Sequence, residues 1–159
     1  MKNKRGFLLA EETLKIIIAV ISITFLVYFL GALYFSNKTS QDLELAKSSL
    51  KHLVDGINSG NTEVDIYNPK GWSLVSWPYE GQIPDSCKNN GWTDCLCICN
   101  TPFIPTSGNF KDNCQNTEKS FCLNNNKKLV VEQDGSQIPI KISSPPITLK
   151  IEDNIISIK

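Results

Sequence analysis

The sequence predicts an α+β fold in which a long N-terminal helix packs on a small, disulfide-stapled antiparallel β-domain. Three observations support this: a long uncharged apolar run, a helical period that continues beyond it, and short β-rich runs in the remainder, which also holds all six cysteines. The expected boundaries, in chain order, are a basic leader at 1–6, a helix over 7–58, and a β-rich extracytoplasmic domain over 59–159 with cysteine-rich loops between 87 and 122.

The apolar run predicts a single membrane span at about residues 16–35. These residues include no charge, and at 1.5 Å per residue they reach roughly 30 Å, one hydrocarbon thickness. Lys2, Lys4 and Arg5 precede the run, so the positive-inside rule places the N-terminus in the cytoplasm and the C-terminal domain outside the cell membrane. A cleaved secretory signal peptide is the alternative, although Leu-Gly-Ala at 30–32 matches a cleavage site only weakly.

The overall charge balance argues against nucleic-acid binding. Lys plus Arg and Asp plus Glu number 16 each, and the N-terminal leader takes several of the basic residues. The rest of the chain is therefore slightly acidic and has no basic run with which to neutralise phosphates.

Beyond the membrane run, an amphipathic helix is indicated by apolar residues that recur at steps of three and four. These residues are Leu43, Ala46, Leu50, Leu53 and Ile57. No proline interrupts residues 7–58, and a run of turn-forming residues from Asn58 to Asn61 ends the pattern.

Residues 59–159 read as short strands joined by turns. The predicted strands are Glu63–Tyr67, Trp72–Trp77, Asp94–Cys99, Leu129–Gln133, Ile138–Ile142, Thr148–Glu152 and Ile155–Ile158. Asp134-Gly135 and Asp153-Asn154 predict two hairpins, and residues 78–93 and 100–127 are predicted to be loops.

The first residues resemble a type IV pilin-like or pseudopilin-like precursor with a class III signal peptide. The leader of basic residues ends at Gly6, Phe7 follows it, and Glu11 is the fifth residue counted from Phe7. The resemblance implies cleavage between Gly6 and Phe7 by a prepilin-type peptidase. It also implies that the Glu11 carboxylate pairs with the new amine of Phe7, commonly on a neighbouring subunit, in a homo- or hetero-oligomer or a cell-surface filament.

Glu12 and Lys15 depart from that pattern, because the stretch around the glutamate is otherwise uncharged in such proteins. Lys15 follows Glu11 by four residues and Glu12 by three, so the three side chains can meet on one helix face. The alternative function is therefore an uncleaved, single-pass signal anchor that carries an extracytoplasmic binding or structural domain and does not polymerise. In that case Lys15 reaches toward the headgroups.

The cysteines predict structural disulfides in an oxidising compartment. They are Cys87, Cys95, Cys97, Cys99, Cys114 and Cys122. On a strand, the three at 95, 97 and 99 share one face and are poorly placed to bond one another, so each is expected to pair with one of the other three. A zinc site built from thiolates is the alternative, but the spacing is unusual for zinc modules and no metal or other cofactor is expected.

Nothing in the sequence predicts an enzyme. His52 is the single histidine, lies off the apolar stripe and is expected to be solvated, and no catalytic set or phosphate loop accompanies it. Trp72, Trp77 and Trp92 are expected to cap the core of a small sheet, with a sugar- or partner-binding face as the alternative. Asn37 begins a weak glycosylation sequon.

Overall fold

The computed structural model describes residues 4–67, 69–101 and 109–159. The predicted α+β class, with a long N-terminal helix and antiparallel sheets, is confirmed. The chain divides into two compact units, one that ends at Lys38 and one that begins at Thr39.

Helix α1 spans Lys4–Asn58. Its end is a Schellman motif: Gly60 has a positive φ of 85°, and the amides of Gly60 and Asn61 donate to the carbonyls of Ile57 and Gly56. Within the described residues, this is the one helix long and apolar enough to cross a membrane, judged by length and composition. That finding supports membrane association.

Two short helices and eight strands follow α1 in the described residues. The helices are α2 (Asp85–Lys88) and α3 (Asn109–Gln115). The strands are β1 (Glu63–Ile66), β2 (Trp72–Trp77), β3 (Cys95–Asn100), β4 (Ser120–Asn124), β5 (Val130–Val131), β6 (Ile140–Ile142), β7 (Ile147–Glu152) and β8 (Ile155–Ile158). Helices α2 and α3 and strand β4 lie in segments that the sequence predicts to be loops.

The strands form two four-stranded sheets rather than the single small sheet that was predicted. Sheet 1 has the order β1-β7-β8-β5, and its β5–β8 pair is parallel. Sheet 2 has the order β4-β3-β2-β6, and all of its pairs are antiparallel.

Of the two predicted hairpins, one is confirmed and one is wrong. Strands β7 and β8 pair antiparallel around Asp153 and Asn154, both of which have the positive φ that tight hairpin turns require. The turn at Asp134-Gly135 instead joins β5 to β6, which belong to different sheets. The only pairing recorded across that turn is an isolated bridge between Gln133 and Ser136.

The main core forms where the second half of α1 meets the sheets. Ala46, Leu50, Leu53 and Ile57 are all buried, and Leu43 is partly buried against the same cluster. The sheet residues of this cluster come from both sheets and include Val64, Ile66, Trp72, Leu74, Leu96, Ile98, Val131, Ile140, Ile142, Leu149 and Ile156. The stripe recognised in the sequence is thus the buried face of α1 in the domain.

A buried serine ties the two sheets together. The Oγ of Ser76 in β2 accepts a hydrogen bond of 2.9 Å from the backbone amide of Val131 in β5. The side-chain amide of Gln137 donates to the carbonyl oxygens of Ser76 and Pro78, at 3.2 and 3.0 Å. Polar contacts therefore hold β5 and the segment after it against sheet 2.

Candidate functional site: the cysteine face of sheet 2

Sheet 2 has two different buried faces. Along β3, Leu96 and Ile98 join the main core under α1, whereas Cys95, Cys97 and Cys99 join a second cluster on the opposite face. This division follows from strand geometry, since successive side chains point to opposite faces. We call the second face the cysteine face.

Elements from outside β3 bring the other cysteines to this face. Cys87 lies in α2, where the carbonyl of Pro84 accepts hydrogen bonds from the amides of Cys87 and Lys88. Cys122 lies in β4, directly opposite Cys97, with the two Cα atoms 4.1 Å apart.

Cys114 comes from α3, which is fixed to sheet 2 by hydrogen bonds. The carbonyl of Cys114 accepts a bond of 2.9 Å from Ser120 Oγ, and Asn113 Nδ2 donates to the carbonyl of Asn100 at 2.9 Å. All six cysteines are therefore held by regular elements of the fold.

The sulfur atoms lie in three pairs at disulfide distance. Cys87 and Cys95 have an Sγ–Sγ distance of 2.02 Å, Cys97 and Cys122 one of 2.01 Å, and Cys99 and Cys114 one of 2.13 Å. Each β3 cysteine thus meets a cysteine from outside β3.

Four of the sulfurs form one tight group, which we call the sulfur cluster. Cys97 Sγ lies 3.9 Å from Cys87 Sγ and 4.0 Å from Cys95 Sγ, in addition to its contact with Cys122. Proximity alone therefore permits more than one pairing among Cys87, Cys95, Cys97 and Cys122. Among the described residues, Cys87, Cys97 and Cys122 are also the one group of metal-ligating side chains that converges, with ligand atoms within 4.8 Å of one another.

Aromatic residues surround the cysteine face. Trp77 lies opposite Cys95 in the β2–β3 register, is 3% exposed, and contacts Tyr79 edge-on with ring centroids 5.9 Å apart. Its Nε1 has no hydrogen-bond partner among the described residues. Trp72 is buried in the main core, whereas Trp92 is only half-buried beside the cysteine face. Two of the three tryptophans therefore cap cores, as expected.

A cleft of about 320 Å³ opens beside Cys122. Its lining residues are Lys47, Ser86, Asn90, Trp92, Thr117, Ser120, Phe121 and Cys122. Ser86 Oγ donates a hydrogen bond to Cys122 Sγ at 3.4 Å, and Lys47 Nζ lies 5.9 Å from the centre of the Phe121 ring. Cys122 is 8% exposed, whereas the other five cysteines are fully buried.

An ion pair fastens α3 to the turn after β2. Lys111 Nζ donates to the carboxylate of Glu80 and lies 5.9 Å from the centre of the Tyr79 ring. The hydrogen bond and positive charge of Lys111 lower the pKa of Glu80. Burial raises the pKa of Tyr79, and the neighbouring Glu80 carboxylate raises it further.

The predicted N-terminal residues lie in the first unit. Gly6, Phe7 and Glu11 fall outside the residues whose side chains the structure describes. Glu12 and Lys15 occupy exposed positions on α1, as does Asn37. The roles assigned to Gly6, Phe7 and Glu11 in cleavage and assembly therefore stay predictions.

Sequence reasoning missed the cleft residues that do not belong to the cysteine pattern. Three of these residues come from separate elements: Lys47 from α1, Ser86 from α2 and Phe121 from β4. Nothing in the local sequence around them indicates that they line a common cleft. One usable signal was the run Ser120–Asn124, in which Cys122 alternates with the apolar Phe121 and Leu123 as in a strand.

Comparisons with protein-family models, with curated proteins and with solved structures give no match for this chain. Function is therefore inferred from the residues and their geometry.

Proposed function

We propose that this chain is a membrane-inserted, non-enzymatic structural subunit of the pilin-like or pseudopilin-like type. The observation that carries the proposal is helix α1, which is apolar enough to span a membrane in its first part and contributes one buried face to the core of a β-domain in its second. This arrangement suits a subunit that is held by one segment and displays a small domain.

In this proposal a prepilin-type peptidase cuts between Gly6 and Phe7. The new amine of Phe7 then pairs with the Glu11 carboxylate of a neighbouring pilin-like subunit. An ion pair inside a dry helix bundle is tolerable only when both partners are present, so the pair would fix the register of assembly.

The displayed domain is proposed to lie on the outer side of the cell membrane, with the N-terminus in the cytoplasm. An oxidising compartment is where disulfides persist. The proposed pairing is Cys87–Cys95, Cys97–Cys122 and Cys99–Cys114, which are the sulfur pairs at bonding distance.

The second candidate is an uncleaved signal anchor that does not polymerise. Glu12 and Lys15 favour it, because two additional charges near Glu11 are unfavourable for close packing of helices within a membrane. In this version the leader stays attached and Lys15 reaches toward the headgroups.

Mass spectrometry of the membrane-extracted protein distinguishes the two. A mature chain that begins at Phe7 supports the pilin-like subunit, and an intact N-terminus supports the anchor.

Assembly is tested with Glu11→Gln and with Glu12→Gln as the matched control, each scored by chemical cross-linking in membranes. Glu11→Gln is expected to abolish self-association, because the amine of Phe7 loses its partner, whereas Glu12→Gln retains it. If both variants associate and mature like the unaltered protein, Glu11 has no role in assembly and the pilin-like proposal fails.

A further inference from the structure

We propose that the sulfur cluster is a thiol–disulfide exchange site for a low-molecular-weight thiol. In this proposal the thiol enters the cleft beside Cys122, opens the Cys97–Cys122 bond, and Cys97 passes the exchange on to the Cys87–Cys95 bond. The proposal does not depend on whether the chain polymerises.

Access to the cluster is selective. Cys122 lines the cleft and is the one cysteine with any exposure, whereas Cys97 is fully buried and does not line it. An incoming thiolate therefore meets Cys122 first. Cys99 and Cys114 are fully buried and do not line the cleft, so their bond serves as an internal reference within the same molecule.

The residues around Cys122 favour the binding of an incoming thiolate. Lys47 is the one charged side chain among the described residues that line the cleft, and its positive charge attracts an anionic thiol. The hydroxyl of Ser86 lines the cleft and lies 3.4 Å from Cys122 Sγ, so it can donate a hydrogen bond to the incoming thiolate, which carries much of the negative charge during exchange.

The first step is nucleophilic attack by the external thiolate on Cys122 Sγ. A new sulfur–sulfur bond forms between the external thiol and Cys122, the Cys97–Cys122 bond breaks, and its electron pair remains on Cys97 as a thiolate. One disulfide and one thiolate are consumed and one of each is formed, so no oxidant or reductant is required.

The second step uses the short distances from Cys97. Its sulfur lies 3.9 Å from Cys87 Sγ and 4.0 Å from Cys95 Sγ. In the closed form Cys97 Sγ lies beside the Cys87–Cys95 bond, nearly equidistant from both sulfurs. Once it is released from Cys122, its side chain can rotate into line with that bond; attack on Cys87 then forms a Cys87–Cys97 bond and releases Cys95 as the thiolate. Attack on Cys95 would instead join residues two apart on one strand, which are at the edge of disulfide reach, so Cys87 is the expected target.

The test treats the full chain, in detergent, with reduced glutathione and then blocks free thiols with excess N-ethylmaleimide in denaturant, so that buried thiols are labelled as well. Tandem mass spectrometry of the digested protein locates each product. The expected products are glutathione on Cys122, a Cys87–Cys97 link and N-ethylmaleimide on Cys95, while Cys99–Cys114 stays intact. Glutathione on Cys99 or Cys114 at an equal or higher rate would overturn the proposal.

A double variant tests the second step. With Cys87→Ser and Cys95→Ser, the Cys97 thiolate has no bond to attack, so N-ethylmaleimide is expected on Cys97 in place of Cys95. If the unaltered protein also carries the label on Cys97 and shows no Cys87–Cys97 link, the relay is refuted. This result is read from the unaltered protein, so it tests the relay even if the double variant does not fold.

Two single variants test the cleft. Ser86→Ala should slow the reaction at Cys122 about fivefold, the factor that one hydrogen bond of average strength is worth. Lys47→Gln should slow it several-fold at low ionic strength and remove most of its salt dependence. Lys51→Gln, an exposed lysine of α1 that does not line the cleft, is the matched control and should react at the unaltered rate. Equal rates in all three variants would show that the cleft plays no part.

Discussion

Replacing Gly56 by alanine tests how closely α1 approaches β1. Gly56 is buried, and a Cβ at this position would lie 2.8 Å from Val64 Cγ2, a distance that real Cβ atoms essentially never show. Val64 is 5% exposed and pairs with Leu149 in sheet 1, so it cannot move away without disturbing its neighbours. The other nearby atoms, Val64 Cγ1 and Asn61 Nδ2, lie at an ordinary contact distance of 3.6 Å.

Two opposing terms set the magnitude. Overpacking a well-filled core costs about 1–3 kcal/mol, whereas alanine is favoured over glycine within a helix by about 1 kcal/mol. We therefore expect Gly56→Ala to destabilise the domain by about 1 kcal/mol. When Val64 is first replaced by alanine, the clashing methyl group is gone. In that background Gly56→Ala should stabilise the domain by about 0.5–1 kcal/mol, so the sign of the effect reverses.

Urea unfolding of the full chain in detergent measures these differences, with tryptophan fluorescence as the signal. Trp72, Trp77 and Trp92 all belong to the second unit, so the signal reports on the domain alone. Gly31→Ala is the control, since a Cβ there meets no atom within 4 Å and should leave the domain's unfolding unchanged. If Gly56→Ala is equally stabilising with and without Val64, the close approach does not exist as described.

Two further outcomes follow from polar contacts of the domain. Ser76→Ala leaves the buried amide of Val131 without its hydrogen-bond acceptor. It should destabilise the domain by about 1–3 kcal/mol in the same urea assay. A loss of stability below about 0.5 kcal/mol would contradict the described link between the sheets. Lys111 lowers the pKa of Glu80. The stability that the Lys111–Glu80 ion pair contributes is therefore present above the ordinary pKa of glutamate, and it is lost as the pH falls through the lowered pKa of Glu80. Unfolding curves of the unaltered protein and of Lys111→Met should therefore differ slightly at neutral pH and converge as the pH falls below the ordinary pKa of glutamate, whereas a gap that widens on acidification would refute this account.

Local patterns predicted those parts of the fold that depend on local geometry. The helical period of α1 marked its buried stripe, and the alternation in β3 placed its cysteines on one face because strand geometry requires it. The turn formers after Ile57 likewise marked the end of the helix, where the Schellman motif is a local arrangement of backbone amides and carbonyls.

Long-range pairing decided the parts that the sequence did not predict. Strand β4 is flanked in the sequence by asparagines and lysines, which are typical of loops. It forms a strand because Cys122 and its neighbours pair with β3. The run that contains β5 and β6 resembles a hairpin, but β5 pairs with β8 and bonds to Ser76, whereas β6 pairs with β2. The cleft was hidden for the same reason, since Lys47, Ser86 and Phe121 meet only after α1, α2 and sheet 2 have packed.

The position of β8 within sheet 1 determines which parts of the domain can form first during synthesis. This strand, Ile155–Ile158, lies between β7 and β5, yet it follows the other seven strands of the described residues along the chain. Because a chain emerges from its N-terminus onward, all six cysteines are available before sheet 1 can close around β8. The nascent domain therefore passes through a period in which all of its thiols are present while sheet 1 is still incomplete, so sheet 2, α2 and α3 can bring the sulfurs together before sheet 1 has formed.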